Sequence, residues 1–137
     1  MNKDTIIPAR SVELDKLRMD WANWPTIWAV QHSDLAIGHR IVESVQPFMV
    51  DLLQQGLADK TLARHLGHLQ MLGGEIIRRR QNDPDIAKQP VGALLLNFVE
   101  EDGGPLIWPR ITESAQNAFD ATCRKLHRFL SQQNDLS

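Results

Sequence analysis

The sequence predicts an all-α fold: a compact bundle of four main helices preceded by short helical segments. Apolar residues recur at three- and four-residue spacing over four stretches, as amphipathic helices require. No stretch alternates long enough to make a strand. Gly56, Pro84, Pro90 and the Gly103–Pro109 region fall between the periodic stretches, where helices stop. At 137 residues the chain is the size of one domain. Apolar residues make up 42% and charged residues 23%, which is a folded balance rather than a disordered one. Such a chain buries its own core without a metal or disulfide staple.

Residues 1–33 are the least regular and are read as a Trp-rich segment packed on the bundle. Val12 to Met19 fits a short helix. Pro25 suits a first helical position, so a second short helix is expected over Pro25–His32. Trp21, Trp24 and Trp28 fall within eight residues and are read as an apolar seal on one end of the core. Base stacking is the rival role, but Arg18 is the only base close by and Asp20 is adjacent.

The bundle itself spans 34–132. Ser33 or Asp34 is the expected N-cap of a helix running to Gln55, with Gly56 as its stop. Leu35, Ile41, Val42, Val45, Phe48, Met49, Leu52 and Leu53 form its apolar face. Pro47 falls on the polar side, so a kink is expected rather than a break. Asp59 is expected to cap Lys60–Arg80, whose core face is Leu62, Leu66, Leu69, Leu72, Ile76 and Ile77. Pro84 ends that helix, because it disfavours helix at Asp83. A third helix is expected over Val91–Glu101. Thr112 should cap the last, which carries Ala115, Phe119, Cys123, Leu126 and Phe129 to about Gln132. Residues 133–137 are read as a disordered tail.

Charge and cysteine content narrow the function. Fifteen Lys and Arg against seventeen Asp and Glu give a net charge of -2, so any anion-binding surface is a local patch. One cysteine, Cys123, excludes disulfide frameworks and multi-cysteine metal sites. Residues 1–10 include Lys3, Asp4 and Arg10 and no apolar run, so no signal peptide is expected. No apolar run is long enough for a membrane span. A cytoplasmic location is the expectation.

The helix Lys60–Arg80 has the most distinctive outer face. At 100° per residue, Lys60, Arg64, Met71 and Arg78 lie opposite the core, with His68 beside them and Arg79 near the edge. Lys60 and Arg78 are about 27 Å apart along the axis, enough to follow a duplex groove. Glu75 interrupts the stripe. Gly67 and Gly74 border this face, and each costs about 1 kcal/mol relative to alanine. Close approach of another backbone would account for them: a helix of this molecule, another subunit, or a phosphate chain. The last helix adds Arg124, Lys125 and Arg128. Bases there also complement a helix C-terminus, and Lys60 and Arg64 also suit a plain solvated face.

The stretch from Pro47 to Leu66 contains Gly56-Leu57-Ala58-Asp59-Lys60-Thr61 followed by Arg64. It resembles the SAM-like N-terminal core-binding domain of phage integrases and other tyrosine recombinases. In that family a helix ends in Gly-Leu-Ser-x-Lys-Thr and an Arg follows a few residues on. Gly56, Leu57, Lys60, Thr61 and Arg64 match in order, while Ala58 stands where Ser is usual. The clear match covers about thirty residues, and the order of helices extends it to most of 34–132. The chain also looks like a small family of bacterial proteins with an Asp-Gly-Gly-Pro-Leu loop and a Phe-Asp-Ala-Thr-Cys-Arg-Lys-Leu helix, a likeness that implies no activity. The integrase resemblance implies a domain that clamps duplex DNA beside a separate catalytic domain. Strand transfer by that chemistry needs a nucleophilic tyrosine, and the chain has none.

Other constellations carry less. Asp120, Cys123 and His127 project within about 60° of one another, but Cys123 sits in the apolar stripe as a packing thiol and no oxyanion donor is in view. His65 and His68 have a spacing some metal sites use, without a partner segment, so no metal and no cofactor is expected. Gly103-Gly104 lacks the surroundings of a phosphate loop. Glu100, Glu101 and Asp102 read as a solvated terminus. The resulting expectation is a non-enzymatic DNA-binding module, an accessory of a mobile element. Its contacts to duplex phosphates would come from Lys60, Thr61, Arg64, His68, Arg78, Arg79, Arg124, Lys125 and Arg128. The alternative is a protein-interaction or homodimer bundle using Gly67, Gly74 and Met71. No membrane partner is expected.

Overall fold

The structure is a computed structural model that describes residue 16 and residues 19–136. The helix expected over Val12–Met19 therefore lies almost wholly outside the described residues. The chain is all-α, and no strand forms among the described residues. A helical turn at 19–22 leads into α1 (Trp24–Trp28), followed by α2 (Asp34–Gln54), α3 (Asp59–Asn82), α4 (Pro84–Ala87), α5 (Val91–Phe98) and α6 (Glu113–Leu136). Three of these are long. The fourth main helix expected from the pattern is the eight-residue α5, which stops at Phe98 rather than Glu101.

The reason is local. Val99 turns extended, and Glu100 and Gly103 pair through backbone bonds of 2.7 and 3.2 Å, closing a tight turn. Val99 stays fully buried although it has left the helix. Gly103 lies against α6, where a Cβ would come within 2.8 Å of the Asp120 side chain.

At the other boundaries, α1 starts with Pro25 in its first turn and ends at Trp28, short of His32. Neither expected cap acts as one. Ser33 and Ala58 occupy the N-cap positions of α2 and α3 without a side-chain bond, and Asp59 is already helical. Asp34 instead turns its carboxylate back onto the backbone N–H groups of Val30 and Gln31, at 2.9 and 3.1 Å. This holds the link between α1 and α2. Pro47 is exposed and α2 continues through it. Gly56 ends that helix with φ +72°, the left-handed conformation glycine adopts cheaply. Thr112 does cap α6, its Oγ1 accepting from Ala115 N at 3.0 Å. The helix then continues to Leu136, beyond Gln132.

The core is built from the expected faces. Ile41, Val45, Met49 and Leu52 of α2 meet Leu66, Leu69, Leu72 and Ile76 of α3. Leu95 and Val99 close one side, and Phe119, Cys123 and Leu126 of α6 another. Trp21, Trp24 and Trp28 are all buried against this core. Helices α3 and α6 run antiparallel: His65 and His68 meet Thr122, while Glu75 meets Trp108, just before α6 begins. Among the described residues no helix is long and apolar enough to cross a membrane.

Candidate nucleic-acid interface

The nine candidate contact residues do not form one continuous strip. At the start of α3, Lys60 and Arg64 are exposed and Thr61 is half-buried. Lys60 and Arg64 are one turn apart and therefore share a side. From the antiparallel α6, Lys125 lies one turn beyond Thr122, whose hydroxyl is 2.7 Å from Nδ1 of His65, the residue next to Arg64 in the chain. Arg128 lies one turn further along α6 and is exposed. Lys125, Arg128 and Phe129 also line a cleft of about 150 Å³ against α2. Asp51 lies in that cleft, accepting from Gln55 Nε2 at 2.9 Å. No ion pair engages Lys60, Arg64, Lys125 or Arg128 among the described residues.

Arg78 and Arg79, at the far end of α3, are in a different situation. Both fold back onto Glu75, Arg78 through Nη2 at 2.5 Å and Arg79 through Nε at 2.7 Å. Arg79 also donates to the Leu106 carbonyl at 2.9 Å and lies 5.6 Å from the centre of the Phe98 ring. Glu75 accepts from the backbone N–H of Trp108 as well, at 3.1 Å. Burial pushes the Glu75 carboxyl up, but these donors outweigh it and hold its pKa below the usual value. The residue that interrupts the stripe in sequence is thus a buried hub that fastens the Leu106–Trp108 loop to α3. The spacing of Glu75 to Arg78 and Arg79, three and four residues, is the signal that could have exposed it.

His68 and Arg124 also have internal partners. Instead of pointing outward, His68 is half-buried with Nδ1 2.7 Å from Thr122 Oγ1, and its ring meets Phe119 edge-on. His65 is buried and places its own Nδ1 2.7 Å from the same hydroxyl. One hydroxyl proton serves one ring, and the hydroxyl oxygen accepts from the other. Burial lowers both imidazole pKa values. Lys125, Arg64 and His68 add to the effect at His65, and Arg64 adds to it at His68. Arg124 donates to the Asp102 carbonyl at 3.2 Å, at the tight turn after α5.

The helix seat suggested by Gly67, Gly74 and Met71 is filled from within at its Gly74 end. Trp28 packs over Gly73 and Gly74 and donates through Nε1 to the Gln70 carbonyl at 2.8 Å. Met71, expected to point outward, is half-buried against the core, and Gly67 has open space around it. The close approach is real, but Gly73 is the glycine that requires it.

Asp120, Cys123 and His127 do not join through hydrogen bonds among the described residues. Asp120 accepts from Gly104 N at 3.1 Å and from Gln116 Nε2 at 3.0 Å, so its carboxylate anchors the loop. Burial, with Asp120 nearby, pushes the Cys123 thiol up to about 12, which leaves it protonated. No group of three or more His, Cys, Asp or Glu among the described residues is arranged to hold a metal. No family model, characterised protein or solved structure matches the chain.

Proposed function

We propose that this chain is a non-enzymatic DNA-binding helical module, an accessory of a mobile element, that docks on duplex phosphates. The contacts are Lys60 and Arg64 of α3 with Lys125 and Arg128 of α6, and the half-buried Thr61 follows Lys60 in the chain. The supporting observation is the 2.7 Å contact of His65 with Thr122, which brings the stretch of α3 that carries Arg64 against the turn of α6 that carries Lys125. Arg78, Arg79, His68 and Arg124 are left out of the contact set, because each already has a hydrogen-bond partner inside the molecule. Four cations without acid partners among the described residues supply sequence-independent attraction to phosphate, and nothing in the reading requires base recognition.

A gel-shift titration with random duplex at two salt concentrations tests this. With about four phosphate contacts, affinity should fall roughly a hundredfold between 50 and 200 mM salt. Substituting Arg64→Ala and Lys125→Ala together should flatten the salt slope by about two units. Binding that is absent at low salt, or unchanged in the double variant, would reject the proposal.

A further inference from the structure

A cleft of about 620 Å³ lies at the opposite end of α3, between its last turns, the loop after Gly103 and the first turns of α6. Its volume is in the range of small-molecule sites. Three arginines line it, Arg78, Arg79 and Arg110, together with Ile107, Trp108 and Ile111. Two carboxylates oppose them. Glu75 is buried behind the wall with its oxygens engaged, and Glu113 stands at the rim.

Arg78 is already folded onto Glu75, and Arg79 donates to Glu75 and the Leu106 carbonyl. Arg110 makes no hydrogen bond or ion pair among the described residues, and it is exposed. The twenty-four-residue α6 starts here and adds the positive end of its dipole. Trp108 is 64% exposed, whereas Trp21, Trp24 and Trp28 are all under 9%. The exposed indole of Trp108 and the unengaged Arg110 line the same cleft, so it offers a flat apolar surface and an anion-binding cation together.

The loop that carries these groups is held in place without a ligand. Gln116 accepts from Ile107 N at 3.1 Å and donates to the Pro105 carbonyl at 3.0 Å, while Glu75 takes the N–H of Trp108. The wall is therefore preformed, which lowers the ordering cost of binding.

We propose that this cleft binds a small aromatic anion, with the carboxylate or phosphate on Arg110 and the ring against Trp108 and Ile111. The site is separate from the cationic strip: Arg64 and Arg78 are about 21 Å apart along α3 at ~1.5 Å per residue.

The four tryptophan indole N–H signals in a nitrogen–proton NMR spectrum report on this directly, with Trp108→Phe assigning the relevant one. Titration with 2-naphthoate and with adenosine 5′-monophosphate should move the Trp108 signal saturably while the other three stay in place. Response to either probe supports the site. Neutral 2-naphthol should bind more weakly than 2-naphthoate, and Arg110→Ala should weaken binding by about tenfold. Arg110 is exposed, so its removal leaves the fold intact. The proposal is overturned if neither anion moves the Trp108 signal saturably. It fails equally if 2-naphthol binds as well as 2-naphthoate, or if Arg110→Ala changes nothing.

Discussion

Asp34 Oδ1 accepts a hydrogen bond from Arg80 Nη1 at 2.8 Å, tying the first residue of α2 to the last turn of α3. The Asp34 side chain is wholly buried and that of Arg80 is 17% exposed. The same carboxylate accepts from Val30 N, Gln31 N and Gln81 Nε2. Burial alone would raise the Asp34 pKa, but these donors and the Arg80 charge hold it below the ordinary carboxylate value. Asp34→Asn would leave Arg80 largely buried without a counter-charge, and would turn an acceptor into a donor facing other donors. A loss of about 3–5 kcal/mol is expected in urea unfolding at neutral pH. A loss below about 1 kcal/mol would show that the pair is not a clasp.

Stability should also fall on mild acidification, through His65 and His68. Burial lowers both pKa values, and the charges of Lys125 and Arg64 lower that of His65 further. The facing groups from α6 are the Thr122 hydroxyl, Lys125 and the Phe119 ring, and none of them carries the negative charge that would hold an imidazolium. The unfolded chain therefore takes up protons first, near the ordinary imidazole value of about 6.5. The contribution is complete above that pH and is lost as pH falls through it toward the folded values. The urea midpoint should drop between about pH 7.5 and 5.5, and His68→Gln should shrink the drop. A midpoint flat across that window, or a drop unchanged by His68→Gln, would remove the pair as its source.

Most of the helices are legible in the sequence, because apolar periodicity reports which residues face a core. Val99 shows where that signal misleads. It extends the apolar pattern of α5 by one position, yet it is buried as an extended residue after the helix has ended. Periodicity gives α3 a single covered side. The helix is in fact covered on several: Trp28 lies on Gly73 and Gly74, and α6 lies on His65 and His68. Met71 and His68 are half-buried for that reason. A helical wheel places the Cα of Arg78 and Arg79 outward, but it cannot report that long side chains curl back to Glu75. Asp34 with Arg80 joins residues 46 apart and leaves no local trace.

Gly73 and Gly67 should respond oppositely to alanine. A Cβ on Gly73 would overlap the Trp28 indole, and relieving that overlap would pull Trp28 Nε1 off the Gln70 carbonyl. Gly73→Ala should cost about 1–3 kcal/mol through overpacking and red-shift the tryptophan emission. Gly67 lies within α3, and a methyl group added there would meet nothing within 4 Å. Gly67→Ala should therefore stabilise by about 0.5–1 kcal/mol, the helix-propensity difference. Equal effects at the two sites would contradict the packing of Trp28 on α3.

Cys123 should behave as a core group rather than a reagent. It is 1% exposed, and a Cβ on Gly104 would press on both its sulfur and the Phe119 ring. Thiolate is the reactive species, and a thiol held near 12 by burial supplies almost none at neutral pH. Iodoacetamide should leave the folded chain unmodified and alkylate it fully in urea. The rate in between should track the fraction unfolded, because the sulfur is reached only when α6 lifts from the loop at Gly104. Fast alkylation under native conditions would mean that α6 and this loop open locally, well below the global unfolding free energy.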